Sequence, residues 1–205
     1  MIRDGIYYGI GFGLATVVVA FWLDTLIALP LLLMGAFCMY FFRDPERKVP
    51  EGSVAVSPAD GKVVHVCDLG GGVCGVSVFL NIFDVHVNRM PVSGIVTSME
   101  YRPGSFRMAH LEDASTQNEQ NSVTIRTEGC HVTVKQIAGL IARRIVCNKN
   151  VGDVVSKGER FGLIKFGSRD DICFGPEWEL AVSVGDKVLA GSSIMARRAT
   201  TNLVK

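Results

Sequence analysis

The sequence predicts a mainly β protein, a sandwich or barrel-sandwich hybrid with a two-fold internal repeat, preceded by an N-terminal apolar α-helical hairpin. Three observations predict it. An almost uninterrupted apolar run extends from Gly5 to Phe42, with Asp24 as its one charge. After it, glycines punctuate short β-branched runs such as "GKVVHV", "GVSVFL" and "HVTVKQI", a pattern of short strands joined by turns. The string Val-Gly-Asp-x-Val-x-x-Gly then occurs twice, at Val151–Gly158 and Val184–Gly191.

The apolar run is too long for one bilayer-spanning helix, which needs about 20 residues. As a hairpin it gives arms Ile6–Trp22 and Leu26–Phe42, turning at Leu23-Asp24-Thr25, with Pro30 in the first turn of the second arm. Arg3 precedes the hairpin and Arg43, Arg47 and Lys48 follow it. Positive charge at both ends predicts a cell-membrane location with the β-rich part on the cytoplasmic side. A signal peptide does not fit, because no small-residue cleavage site interrupts the run. Lipidation at Cys38 does not fit either, because bulky Phe37 precedes it. The expected division is a membrane-attaching hairpin with its basic flank over 1–48 and a β-rich domain over 49–205.

The 205 residues are 48% hydrophobic, which the hairpin explains, and carry a formal net charge of +1, which does not point to nucleic acid. The six cysteines form no CxxC pair and no zinc-spaced cluster, so no metal is expected and they read as thiols in a reducing compartment.

In the β-rich part, "RTEGCH" reads as a hairpin turn between Ser122–Arg126 and Cys130–Gln136, and "LGGGV" as a flexible turn. The polar stretch 102–121 is long for a structureless loop, a length usually tied to function. "SPADGKVV" (Ser57–Val64) echoes "MPVSGIVT" (Met90–Thr97). These repeated turns resemble those of biotinyl and lipoyl carrier domains, which modify a lysine between two similar halves. Lys165 lies between the Val-Gly-Asp repeats here, so a non-catalytic membrane-anchored carrier or assembly module is one alternative.

His65 and His131 alternate with valines inside β runs and read as strand residues, and His110 lies in the polar stretch. His86 lies in "NIFDVHVNRMPVSG", where a β run meets a proline turn. Asp60 sits in an Asp-Gly turn signal. "KFGSRDD" holds Gly167-Ser168 between a lysine, an arginine and two aspartates. An acid can orient a histidine, and a histidine can take a serine's proton. Asp60, His86 and Ser168 therefore form a candidate set, which spacing alone does not bring together. No G-x-S-x-G elbow surrounds Ser168.

With "FFRDPER", "SPADGKV", "FDVHVNRMPVSG", Asn118-Glu119 and "FGSR" in this order, the chain resembles phosphatidylserine decarboxylase proenzymes of the short membrane-attached type. The resemblance implies self-cleavage between Gly167 and Ser168. The Ser168 hydroxyl, freed by His86 with Asp60 orienting it, attacks the Gly167 carbonyl, elimination of the ester leaves dehydroalanine, and its hydrolysis gives a pyruvoyl cofactor derived from Ser168. It also implies a heterodimer of a large chain (1–167) and a small chain (168–205), with any higher oligomer left open. The implied reaction is decarboxylation of phosphatidylserine, a membrane phospholipid, to phosphatidylethanolamine. The same chemistry on an archaeal ether-linked phosphoserine lipid is a further alternative. Arg43 and Arg47 are candidates for attracting anionic lipid, and Arg89, Arg169 and Asn118 for binding substrate. Two departures stand out: Arg89 occupies the place where long forms carry a second histidine, and "FGSR" stands for their "LGST".

Overall fold

The structure is a computed structural model, and it describes residues 3–108, 114–139, 144–164 and 168–199. Contacts divide the chain into two units, Met1–Glu46 and Arg47–Lys205.

The first unit is a helical hairpin of α1 (Arg3–Trp22) and α2 (Thr25–Phe41). Asp24 caps α2, its Oδ1 accepting from Leu26 N at 2.7 Å, which satisfies one of the unpaired N–H groups at a helix start. Glycines let the arms approach: a methyl group on Gly35 would lie 3.1 Å from Phe12 Cβ, and one on Gly9 2.9 Å from Met39 Cγ. Pro30 falls in the second turn of α2, not the first, so the Leu26 carbonyl receives no bond from it. Among the described residues α1 alone is long and apolar enough to cross a membrane, over Gly5–Trp22, while α2 is shorter.

The second unit is mainly β. Its strands are β1 (Val54–Val56), β2 (Gly61–Asp68), β3 (Cys74–Leu80), β4 (Val87–Arg89) and β5 (Gly94–Arg102). After the short helix α3 (Ala114–Gln117) come β6 (Gln120–Thr127), β7 (Cys130–Ile137), β8 (Ile145–Cys147), β9 (Val154–Val155) and β10 (Arg160–Ile164). The chain continues with β11 (Ser168–Phe174), β12 (Trp178–Leu180), β13 (Lys187–Val188) and β14 (Ile194–Arg198). Eight strands form a curled half-barrel in the order β13-β2-β3-β11-β7-β6-β5-β9. Two three-stranded sheets, β1-β14-β12 and β4-β10-β8, complete the unit. The β6–β7 turn is the hairpin the sequence predicts, with β6 running one residue further than expected so that Glu128 and Gly129, at φ 43° and 85°, form the turn.

The repeats have a structural meaning. Val154-Val155 pairs with β5 and Lys187-Val188 with β2, so the two Val-Gly-Asp motifs form opposite edges of the large sheet. In each, the aspartate accepts from a backbone N–H three residues earlier at 2.8 Å: Asp153 from Asn150 and Asp186 from Ser183. The proline-bearing echoes also meet, as Val56 N donates to Pro91 O and Arg89 N to Pro58 O. The core fills the half-barrel with Val63, Val78, Met90, Ile125, Val134, Phe161, Ile172 and Phe174.

Candidate active site

Ser168 opens β11, the strand held between β3 and β7. It pairs with Leu80, the last residue of β3. Side chains alternate along a strand, and Ser168, Asp170, Ile172 and Phe174 are all buried on one face. Ser168 Oγ has no hydrogen-bond partner among the described residues. Lys165, Phe166 and Gly167 lie outside the described residues. So does His110.

From Leu80 the chain makes a tight turn in which Asn81 N donates to Asp84 Oδ2 at 2.7 Å and Asp84 N to Asn81 O at 2.9 Å. It then delivers His86, fully buried, with Nδ1 2.9 Å from the carbonyl oxygen of Asp84. Ile164, at the end of β10, donates its N–H to His86 O at 3.4 Å. Two residues on, Asn88 Nδ2 donates to Asp170 Oδ2 at 2.5 Å. The segment 86–88 thus lies against both the end of β10 and the start of β11, which brackets Ser168.

Asp60 is held differently from the sequence expectation. Its Oδ1 accepts from Ala190 N at 2.7 Å and its Oδ2 from Arg47 Nη2 at 2.6 Å. No bond from Asp60 to His86 is among these; the atom aligned with the imidazole is a backbone carbonyl. Burial pushes the Asp60 carboxyl up, against the opposing pull of Ala190 N and Arg47. Arg47, expected as a basic flank facing lipid, is instead paired with Asp60, its side chain 10% exposed.

Against this geometry stand the comparisons with known proteins. A family model for phosphatidylserine decarboxylase matches residues 34–196. A phosphatidylserine decarboxylase proenzyme of Solibacter usitatus is 56% identical over 198 residues, covering 97% of each chain. Proenzymes of the same name from Syntrophus aciditrophicus and Solidesulfovibrio magneticus are 48% and 46% identical, covering 93% and 96% of this chain and 94% and 95% of theirs. The chain belongs to the phosphatidylserine decarboxylase family.

As a member of that family the chain carries three further sequence candidates, and the structure gives each definite partners. Asn118 is buried and bonded to backbone: Oδ1 accepts from Arg107 N at 3.0 Å, and Nδ2 donates to Arg107 O at 2.9 Å and to Ala138 O at 2.8 Å. It pins the polar stretch to the end of β7. Arg89 Nη1 donates to Gly158 O at 3.1 Å, and the Arg89 stem passes beside Gly191. It therefore lies where the two Val-Gly-Asp motifs end. Arg169 lies on the face of β11 opposite Ser168, donating from Nε and Nη2 to the two oxygens of Asp171 at 2.6 and 3.0 Å and from Nη2 to Ser77 Oγ at 2.8 Å. It lines a cavity of about 380 Å³ together with His65, Cys67, Lys135 and Asp171.

Sequence reasoning missed a chain of buried polar groups in this decarboxylase-family fold. It runs from Asp170 to Asn88, from Asn88 Oδ1 to Gln136 Nε2 at 2.8 Å, and from Gln136 Oε1 to Asn121 Nδ2 at 3.0 Å. Asp170 is fully buried with Oδ1 lacking a partner among the described residues. Burial raises its carboxyl well above the ordinary range, and the charge of Asp171 adds to the rise against the Asn88 bond. The signal was period two: Asp170 follows Ser168, and Asn88 follows His86, by two residues each.

Proposed function

We propose that this chain cleaves itself between Gly167 and Ser168 and then, as a pyruvoyl-dependent enzyme, decarboxylates phosphatidylserine to phosphatidylethanolamine at a membrane. The observation that carries the reading is a buried serine with an orphaned hydroxyl at the head of a central strand, in a chain of this family. Such an atom pays a desolvation cost that folding alone does not require.

His86, held by the Asp84 carbonyl, takes the Ser168 hydroxyl proton. Oγ attacks the carbonyl of residue 167, where glycine leaves room for a close approach. The amide becomes an ester, loss of the Ser168 α-proton releases the larger chain as a carboxylate and leaves dehydroalanine, and water then replaces its nitrogen, lost as ammonia, to leave the pyruvoyl group. Asp60 supports the site through Arg47 and the 190 backbone, and Arg89, Asn118 and Arg169 are positioning residues that fix the strands around Ser168.

The residues fit a pyruvoyl group formed from Ser168: its position is buried, polar on one side and walled by β3, β7 and the 86–88 segment. When formed, that group supplies a ketone for the substrate's amine and an electron sink as CO₂ leaves. His86 holds the proton that the product carbon needs. The apolar α1 and the positive residues flanking the hairpin support attachment to the cell membrane with the β unit on the cytoplasmic side.

Intact mass spectrometry of the purified protein tests this. Two chains of about 18 and about 4 kDa are expected, at roughly 110 Da per residue, the smaller one blocked to Edman degradation. Ser168→Ala is expected to give one chain and no decarboxylation. A wild-type chain of 22.2 kDa with a free Ser168 hydroxyl would overturn the reading, and an added mass on Lys165 would point to a carrier.

A further inference from the structure

Ser168 and Asp170 project to the same side of β11, and both are fully buried. Ser168 Oγ and Asp170 Oδ1 each lack a hydrogen-bond partner among the described residues. Buried polar atoms are nearly always paired, so two orphans on one strand face, two residues apart, call for a purpose. The second oxygen of Asp170 accepts from Asn88, which is itself fixed by Gln136. These are neutral partners, and the charge whose field reaches Asp170 is another carboxylate, Asp171. The Asn88 bond alone favours the anion, against burial and the Asp171 charge. Burial favours the protonated form of a carboxyl so placed, and a protonated carboxyl is able to give its proton to a stronger base.

We propose that Asp170 is a second acid of the Ser168 site and supplies the proton that the Ser168 nitrogen takes up as its bond to residue 167 breaks. The proposal rests on the self-cleavage reading above. The step balances without any other reactant. The Oγ proton passes to His86, Oγ bonds to the carbonyl carbon of residue 167, the carbon–nitrogen bond breaks, and the nitrogen takes the Asp170 proton. An ester and a free amine result, with a positive charge on His86 and a negative one on Asp170. Asn88 serves both groups: it follows His86 by two residues and bonds Asp170, so it fixes the base-bearing segment against the acid-bearing strand.

Two variants test this. Asp170→Asn keeps an acceptor for Asn88 but has no acidic proton. Asp170→Val removes the carboxyl, with its unpaired Oδ1 and its bond to Asn88, and places a branched residue in a buried strand. The rate at which newly made full-length chain splits is followed on denaturing gels, with thermal unfolding as the folding control. Loss of a general acid predicts splitting slowed by about a hundredfold or more. Hydroxylamine, which cuts esters but not amides, is expected to release no fragments from uncut Asp170→Asn protein. Splitting of either variant at the wild-type rate overturns the proposal. So does hydroxylamine release at the 167–168 junction, which would show that the amide becomes an ester without Asp170. A wild-type chain that stays whole overturns the self-cleavage reading itself, a result these outcomes do not mimic.

Discussion

Asp60 and Asp170 are both buried acids, and they differ in what faces them. Asp60 meets a guanidinium and a backbone N–H; Asp170 meets an amide. Removing Arg47 strands a buried carboxylate, so Arg47→Met is expected to cost about 3 kcal/mol, read from the urea midpoint. Asp170 predicts a pH effect of definite sign. Its folded pKa lies above the unfolded value of about 3.9, so the folded state holds a proton that the unfolded chain releases. Stability should therefore fall as pH rises from about 4 towards the folded pKa. Asp170→Val should reduce that fall without abolishing it, because the Asp60 carboxyl is raised too. His86→Ala should slow self-cleavage by about a hundredfold or more, read on denaturing gels. Ser168 and His86 were singled out in the sequence because their residue types suit a nucleophile and a base, and the structure buries both. Asp170 was not, since in "SRDD" it reads as one more surface charge, and only the curl of the sheet buries it. The Asp60–Arg47 pair was equally hidden, because Arg47 also satisfies the pattern of a membrane flank.

Among the elements, the strands around glycine turns were legible nearly to the residue, because alternation and turn chemistry act locally. The two Val-Gly-Asp motifs were visible as a repeat, yet their roles as the two edges of one sheet depend on pairings with β2 and β5 that no local signal encodes. Their counterparts are Gly61 and Gly94, which pair with Val188 and Val155. Gly61 has φ 155°, and a methyl there would run into the Phe79 carbonyl of β3. Gly61→Ala is expected to destabilise the β unit by about 1–3 kcal/mol, measured by urea unfolding. The polar stretch was expected to be functional for its length; the described part shows Asn118 tying it down through backbone bonds. Pro30 falls in the second turn rather than the first because α2 begins at Thr25, one residue before the expected Leu26.

For the whole molecule, the apolar hairpin predicts behaviour that fractionation reads directly. The protein should sediment with membranes, stay there in high salt and come off in detergent, since buried apolar area rather than charge holds it. The order of the large sheet makes a second prediction. β11 is bonded to β3 along one side and β7 along the other, from Ser168 to Phe174. The segment from Ser168 onward also supplies β14, which lies between β1 and β12. After cleavage the two chains should migrate together on a native gel and separate only on denaturation.

That same central strand sets the timing of synthesis. A sheet whose middle strand comes late in the chain cannot close while the ribosome still holds that strand. β3 and β7 emerge earlier and must wait for the segment that will lie between them. The site around Ser168 has no walls until then, so on the proposed self-cleavage a nascent chain is expected to stay whole until the segment from Ser168 onward has arrived. If the chain cleaves itself as proposed, translation is then the clock that keeps it whole until it can hold both pieces.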